Sequence, residues 1–255
     1  MGTIKLFDLT GNVAIITGGN GGIGRSIAIG LAKAGASVAI FARNIEKNKK
    51  ILSELEELGI SAMVLNVDVT DRSALEPALK KVEQELGPVS ILVNNAGIKS
   101  VSGGIINETE ENWNRVIDTQ LNAVFLLSKL VAKSMVENKR GKIINIGSMY
   151  SFFGSGRIPS YSAAKGAVIQ LTKSIAIEMA PHNIQVNAIV PGWIETDMTA
   201  SLKTLPINDE VILRTPAGRW GQPDEVIGTA IYLASKASDF VSGETIRVDG
   251  GYAIR

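Results

Sequence analysis

Asn12-Val-Ala-Ile-Ile-Thr17 leads straight into Gly18-Gly-Asn20-Gly-Gly22-Ile23-Gly24, and that turn leads into Arg25-Ser-Ile-Ala-Ile-Gly-Leu-Ala-Lys-Ala34, closed by Gly35. The first run is short and mostly apolar, the mark of a buried strand. The last has helical spacing. A strand, a glycine-rich turn and a helix in that order make a phosphate cradle. The glycines permit a tight turn and close backbone approach, and the helix N-terminus offers free N–H groups and partial positive charge to a pyrophosphate. Two registers fit, Gly19-x-Gly21-x-x-Gly24 and Gly18-x-x-x-Gly22-x-Gly24, and both place the anion at the same helix start. Gly18, Asn20, Gly22, Ile23 and Gly24 are the expected contacts.

The alternation continues outward from this unit. Short apolar runs at Ser37–Phe41, Ala62–Val67, Ile91–Val93, Lys142–Ile146, Gln185–Ile189 and Glu244–Val248 read as strands, with the first at Val13–Thr17. Helical patterns lie between them near Ile23–Ala34, Glu46–Leu58, Ser73–Leu86, Glu110–Glu137, Ser160–Ala180 and Asp224–Ala234. This order predicts an α/β fold, a doubly wound Rossmann-type parallel sheet with helices on both faces in three α/β/α layers. Pro77 is expected to kink the third helix or delay its start. The charged run Glu46 to Glu57 reads as a solvated face with Ile51, Leu55 and Leu58 turned inward. No Pro/Gly/Ser-rich linker or internal repeat divides the chain, so residues 1–255 are expected to form a single dinucleotide-binding catalytic domain. The long irregular stretch at about 192–222 is the expected substrate loop.

Composition narrows the chemistry. Of the 255 residues 45% are hydrophobic, ample for a core, and the net charge of +1 gives no reason to expect nucleic acid or an anionic membrane as partner. There is no cysteine and one histidine, which removes disulfides, thiolate chemistry and the usual ligands of a zinc alcohol dehydrogenase. The start, Met1 to Leu9, has no long apolar stretch, so a signal peptide is not expected. Gly2 is followed by Leu6 where an acylation motif takes Ser or Thr. The expected location is the cytoplasm.

A second constellation supplies a reaction. Ser148 follows the apolar run Lys142–Ile146, and Tyr161 and Lys165 open a helical pattern free of Pro until Pro181. Positions i and i+4 share a helix face, which makes phenol and ammonium neighbours. A tyrosine ordinarily titrates at roughly 10, and a nearby cation favours its anion. Tyr161 is thus a candidate general acid or base, with its pKa expected to be lowered by Lys165, and Ser148 can donate to the same substrate oxygen. Taken alone, Tyr-x-x-x-Lys is weak, because any helix can carry that pair on a solvated face.

In sum the chain resembles the short-chain dehydrogenase/reductase family, in its compact single-domain branch. The matching pieces run in family order: Thr17-Gly18-x-x-x-Gly22-Ile23-Gly24, Asp68-Val69, Asn94-Asn95-Ala96-Gly97, Ser148, Tyr161-x-x-x-Lys165, Pro191-Gly192 with Thr196, and Val248-Asp249-Gly250-Gly251. The resemblance implies that Asp68 and Val69 receive the adenine, that Asn95 lines the adenosine side, and that Ile194 and Thr196 lie beside the nicotinamide carboxamide. It implies that Lys165 and Tyr161 also meet the cofactor. It further suggests a homotetramer with Ser242 to Arg255 near an interface.

A dinucleotide fold selects NAD with an acidic residue at the end of its second strand. Here Ala42 stands in that place and Arg43 follows, whose planar fork suits the 2′-phosphate of NADP. A second basic residue within the glycine loop is absent, since Asn20 and Gly21 stand there. NADP is the expected cofactor, with NAD the alternative.

One position departs from the family. The stretch resembling Asn-Leu-x-x-Val-Phe reads Gln120-Leu121-Asn122-Ala123-Val124-Phe125, so Gln120 stands where a catalytic asparagine is expected. Asn122 lies two residues along, toward another face. Ser148, Tyr161, Lys165 and Gln120 form the expected catalytic set, acting on a ketone or secondary alcohol. The segments Arg157-Ile-Pro-Ser-Tyr161 and Pro216-Ala-Gly-Arg-Trp-Gly221 look most like those of dehydrogenases of 2-deoxygluconate, keto-deoxygluconate or gluconate. The alternatives are a 3-oxoacyl reductase and a dinucleotide-binding regulator without turnover.

Overall fold

The computed structural model describes residues 5–255; Gly2, considered above for acylation, lies outside them. Strands β1 (Val13–Thr17), β2 (Ser37–Ala42), β3 (Ala62–Asn66), β4 (Val89–Asn94), β5 (Gly141–Ile146), β6 (Ile184–Pro191) and β7 (Thr245–Val248) stand where the apolar runs place them. They form one sheet in the order β3-β2-β1-β4-β5-β6-β7, with every pairing parallel. The helices are α1 (Gly22–Lys33), α2 (Ile45–Glu56), α3 (Arg72–Leu86), α4 (Glu110–Ile117), α5 (Ala123–Asn138), α6 (Pro159–Met179), α7 (Ile207–Arg214) and α8 (Ile227–Ala234).

Successive side chains of a strand point to opposite faces, so a sheet buried on both sides feeds two cores. In β1, Ala14 and Ile16 join Ile27 and Leu31 of α1, Ile51 and Leu55 of α2, and Ala230 and Leu233 of α8. Val13 and Ile15 face the other way, onto Leu75, Leu79 and Val82 of α3, Leu127 and Val131 of α5, and Met179 of α6. The three layers follow directly from that alternation.

From β1 the chain winds outward through β2 and β3, then returns to place β4 on the other side of β1. This reversal opens a crevice at the carboxyl ends of β1 and β4, the usual seat of a ligand in such sheets. Thr17 Oγ accepts from the backbone amides of Asn95 and Ala96 at 2.9 Å each, and Asn95 Nδ2 donates to Thr17 O at 2.9 Å. The end of β4 is thus fastened to the start of the glycine loop.

Three expectations need correction, and of the two offered for Pro77 one falls away. The helix expected over Glu110–Glu137 is divided, because Asp118–Asn122 forms a π-helical turn in which the Ala123 amide donates to Asp118 O. Such a turn interrupts the i→i+4 ladder and is often found at functional sites. Pro77 does not delay α3. Asp71 Oδ1 accepts from Ser73 N at 3.0 Å and caps the helix ahead of it, with Pro77 accommodated inside. Ile51 and Leu55 are buried but Leu58 is 38% exposed, because α2 ends at Glu56 and its periodicity does not carry further. The stretch 192–222 is not wholly irregular: it holds α7 and a short 3-10 turn at Ala200–Thr204.

Candidate active site

The crevice at the reversal is a cleft of about 660 Å³. Every residue expected from sequence lines it: Gly18, Asn20, Gly22, Ile23 and Gly24 at its floor, Arg43, Asp68, Val69 and Asn95 toward one end, and Gln120, Ser148, Tyr161, Lys165, Ile194 and Thr196 toward the other.

The floor fits a pyrophosphate. Helix α1 begins at Gly22 with no side-chain cap on its first amides and no acidic residue in its first turn. Those N–H groups need an acceptor, and the helix dipole favours an anionic one. Gly22 has φ +49, and a Cβ on Gly24 would lie 2.4 Å from Gly18 O and 2.3 Å from Asn95 Nδ2. No larger residue keeps this turn. Asn20 Nδ2 donates to Asn48 Oδ1 at 2.7 Å, tying the loop to α2.

At the adenosine end Asp68 accepts from Thr70 N at 2.9 Å and from Arg43 Nη1 at 3.1 Å. Partial burial works against its charge, but the Thr70 and Arg43 hydrogen bonds prevail and hold its carboxyl below the usual value. Asn95 lines the cleft while its amide braces Thr17 and Gly18, a structural duty that sequence reading did not separate from ligand contact.

Ser148 follows the end of β5, and Tyr161 and Lys165 occupy the first turns of α6. Lys165 is buried and its Nζ donates to Ile146 O at 2.7 Å. Burial brings its pKa down from 10.5 to about 8. Burial also pushes the Tyr161 phenol above its usual value, and the neighbouring Ser148 hydroxyl works against that rise. The expected lowering by Lys165 is therefore corrected for the protein alone: removal from water is the larger cause, the Ser148 hydroxyl the opposing one, and the Lys165 Nζ sits 5.8 Å from the Tyr161 ring centre.

Gln120 lies within the π-helical turn and is 1% exposed. Its Nε2 donates to Ile98 O at 3.1 Å, while its Oε1 is buried without a partner. Asn122 turns elsewhere, its amide donating to Asp118 Oδ1 at 2.6 Å.

The profile of the short chain dehydrogenase family matches residues 12–205. The chain belongs to that family. Among its relatives is the 5-keto-D-gluconate 5-reductase of Escherichia coli (strain K12), 43% identical over 98% of both chains. Another is the 2-dehydro-3-deoxy-D-gluconate 5-dehydrogenase of Dickeya dadantii (strain 3937), 42% identical over 99% of both. A crystal structure of a gluconate 5-dehydrogenase from Burkholderia cenocepacia J2315, in complex with NADP and tartrate, is 40% identical with a TM-score of 0.94 over 98% of both chains.

Several members of this dehydrogenase's site were not legible in its sequence. Ser151 Oγ donates to Lys165 O at 2.8 Å and accepts from Ser148 N at 3.2 Å, joining the end of β5 to α6. Glu108 accepts from Ser160 Oγ at 2.8 Å and Ser160 N at 3.4 Å, although Ile158 gives α6 no side-chain cap of its own. Tyr150 stands edge-on to Tyr161 at 6.3 Å and to Trp193 at 6.4 Å, an aromatic wall beside the phenol. Lys47 lines the cleft from α2. The only sequence signal for these was proximity to a motif, as for Tyr150 and Ser151 after Ser148. Arg219, in the segment Pro216 to Gly221, forms a two-pronged pair with Glu225 at 2.8 and 2.7 Å.

Proposed function

We propose that this chain is an NADP-preferring oxidoreductase that interconverts a secondary alcohol and a ketone on a sugar acid. The observation that carries the reading is the meeting of Ser148, Tyr161 and Lys165 at one wall of a cleft whose floor is a phosphate cradle. The names of the relatives, a keto-gluconate reductase and a keto-deoxygluconate dehydrogenase, support the substrate class. A neighbour crystallised with NADP and the cationic Arg43 beside Ala42 support the cofactor.

When bound, the nicotinamide supplies the hydride for reduction and accepts it in oxidation. Tyr161 donates a proton to the carbonyl oxygen as it becomes an alcohol oxygen, and takes that proton back in the reverse direction. Its raised pKa keeps it a proton donor at neutral pH. Ser148 holds the same oxygen and polarises the carbonyl. Lys165 keeps a positive charge below pH of about 8 at the base of the site, where it favours the phenolate once Tyr161 has given up its proton. Gln120 completes the wall opposite Ile98.

The protein acts as one domain over residues 1–255, with the segment at about 192–222 closing over the substrate. It is a cytoplasmic homotetramer that uses Ser242 to Arg255 near an interface. No helix among the described residues is long and apolar enough to cross a membrane. The regulator reading rests on Gln120 and its unpaired Oε1.

The test is a panel of ketones and sugar acids, 5-keto-D-gluconate among them, assayed with NADPH and NADH. Reduction of a keto sugar acid with NADPH preferred is the expected result. Binding of NADPH without turnover of any ketone would replace the enzyme by the regulator.

A further inference from the structure

Two cations line the cleft beside the glycine loop, and sequence reading accounted for only Arg43. Lys47 stands in the first turn of α2, and its ammonium approaches the glycine loop: a Cβ on Gly21 would lie 3.9 Å from Lys47 Nζ. Helix α2 is fixed against that loop by the Asn20–Asn48 bond and by its own cap, where Asn44 Oδ1 accepts from Lys47 N at 2.9 Å. The second basic group missing from the loop itself is thus supplied across space.

Both cations are engaged by exposed or half-exposed carboxylates. Arg43 pairs with Asp68 at 3.1 Å and Lys47 with Asp197 at 2.5 Å. Asp197 is 84% exposed and follows Thr196 at the foot of the substrate segment. Ion pairs this open to water are weak, so a better anion displaces the carboxylate readily. A phosphate monoester carries up to two charges and three acceptor oxygens, and outcompetes a single carboxylate for a lysine.

Resting on the NADP reading above, we propose that Lys47 is a second determinant for the adenosine 2′-phosphate, held ready by Asp197, which the phosphate displaces. Arg43 supplies the fork and Lys47 the point charge, one from each side of the turn that follows β2.

The test uses fragments that lack nicotinamide, so that it does not depend on turnover. Calorimetry gives Kd for 2′,5′-ADP and for 5′-AMP on wild type, Lys47→Met and Asp197→Asn. Wild type should bind 2′,5′-ADP more tightly. Lys47→Met should weaken 2′,5′-ADP about tenfold, the scale of one charged hydrogen bond, with 5′-AMP affinity held. Asp197→Asn should hold or tighten 2′,5′-ADP. If wild type prefers 2′,5′-ADP but Lys47→Met keeps the full preference, Lys47 has no such role. An Asp197→Asn loss as large as that of Lys47→Met would show that Asp197 assists the phosphate instead of yielding to it. If wild type shows no preference between the fragments, the NADP reading itself fails.

Discussion

Gln120 holds Ile98 and leaves half of its own amide unsatisfied: Nε2 donates to Ile98 O at 3.1 Å, and Oε1 is buried with no partner. A Cβ on Gly97 would lie 3.1 Å from that oxygen, a tight contact, so the bare position 97 eases the fit of the longer side chain. A buried polar atom left unpaired costs about 1–3 kcal/mol, which a site keeps when a ligand or water satisfies it in use.

Gln120→Asn is expected to shift kcat only a few-fold. The shorter amide loses its reach to Ile98 and returns space to water, and a water that keeps good hydrogen bonds replaces the lost contact at small cost. Steady-state kcat of both proteins on the best ketone, across a pH series, checks this. A wild type that is inert beside an active Gln120→Asn would mean that the glutamine had silenced the site.

Tyr161→Phe should preserve the fold and NADPH binding while lowering kcat by ~10²–10⁴-fold, the usual worth of a positioned acid or base. Because burial raises the phenol pKa, ketone reduction should be flat through neutral pH while alcohol oxidation climbs as pH rises and the phenolate fills. Near-wild-type turnover by Tyr161→Phe would remove the tyrosine from the chemistry.

Much of this site was legible because it is local. Four apolar residues, a run of glycines and a helix leave little choice at β1, and Tyr161 and Lys165 share a face by spacing alone. What escaped is set by contacts between distant segments. Lys47 reads as one more charge on a solvated helix until α2 is seen against the glycine loop. Glu108 has no spacing relation to Ser160. The π-helical turn at Asp118–Asn122 has no compositional mark, since its residues suit an α-helix equally well. Helix α7 was hidden by its length, eight residues behind Pro206 with one fully buried side chain, Val211. The Tyr161 shift depends on depth of burial, which pairing along a helix does not reveal.

Lys165 should make the protein less stable than it would be without the charge. Its folded pKa of about 8 lies below its ordinary 10.5, so the unfolded chain binds this proton more tightly. The penalty is complete below about pH 8 and is relieved as pH rises toward 10.5; at roughly 1.4 kcal/mol per pH unit it amounts to roughly 3 kcal/mol at neutral pH. Lys165→Met discards the charge but leaves Ile146 O without its donor, at a cost of about 1 kcal/mol or more. The variant should therefore lose turnover yet melt about 3–6 °C higher at pH 7, with the gain shrinking by pH 9.5. Thermal unfolding at both pH values decides it, and a lower Tm at pH 7 would show that the buried ammonium stabilises the fold.

Glu108 positions the catalytic helix from outside it. The carboxylate accepts from the Ser160 amide and hydroxyl, directly before Tyr161, where α6 has no cap of its own. Partial burial disfavours its charge, yet hydrogen bonds from Asn112, Ser160 and Ser102 outweigh that and hold its pKa below the usual value. The support it gives is present above the ordinary carboxylate range and is lost as acid protonates it. Glu108→Gln keeps the shape but removes the charge that an N-terminus favours. A cap of this kind is worth about 1 kcal/mol, so kcat should fall roughly fivefold if the first turn of α6 loosens. NADPH affinity should fall less than kcat, because most of the expected cofactor contacts, the glycine loop and Arg43 among them, do not touch this corner. The distinguishing readout is the split between kcat and the Kd of NADPH, followed with the acid limb of the unfolding curve, which should flatten in the variant. An equal loss in both constants would point to general destabilisation, and no change in either would show that α6 needs no help from Glu108 to present Tyr161.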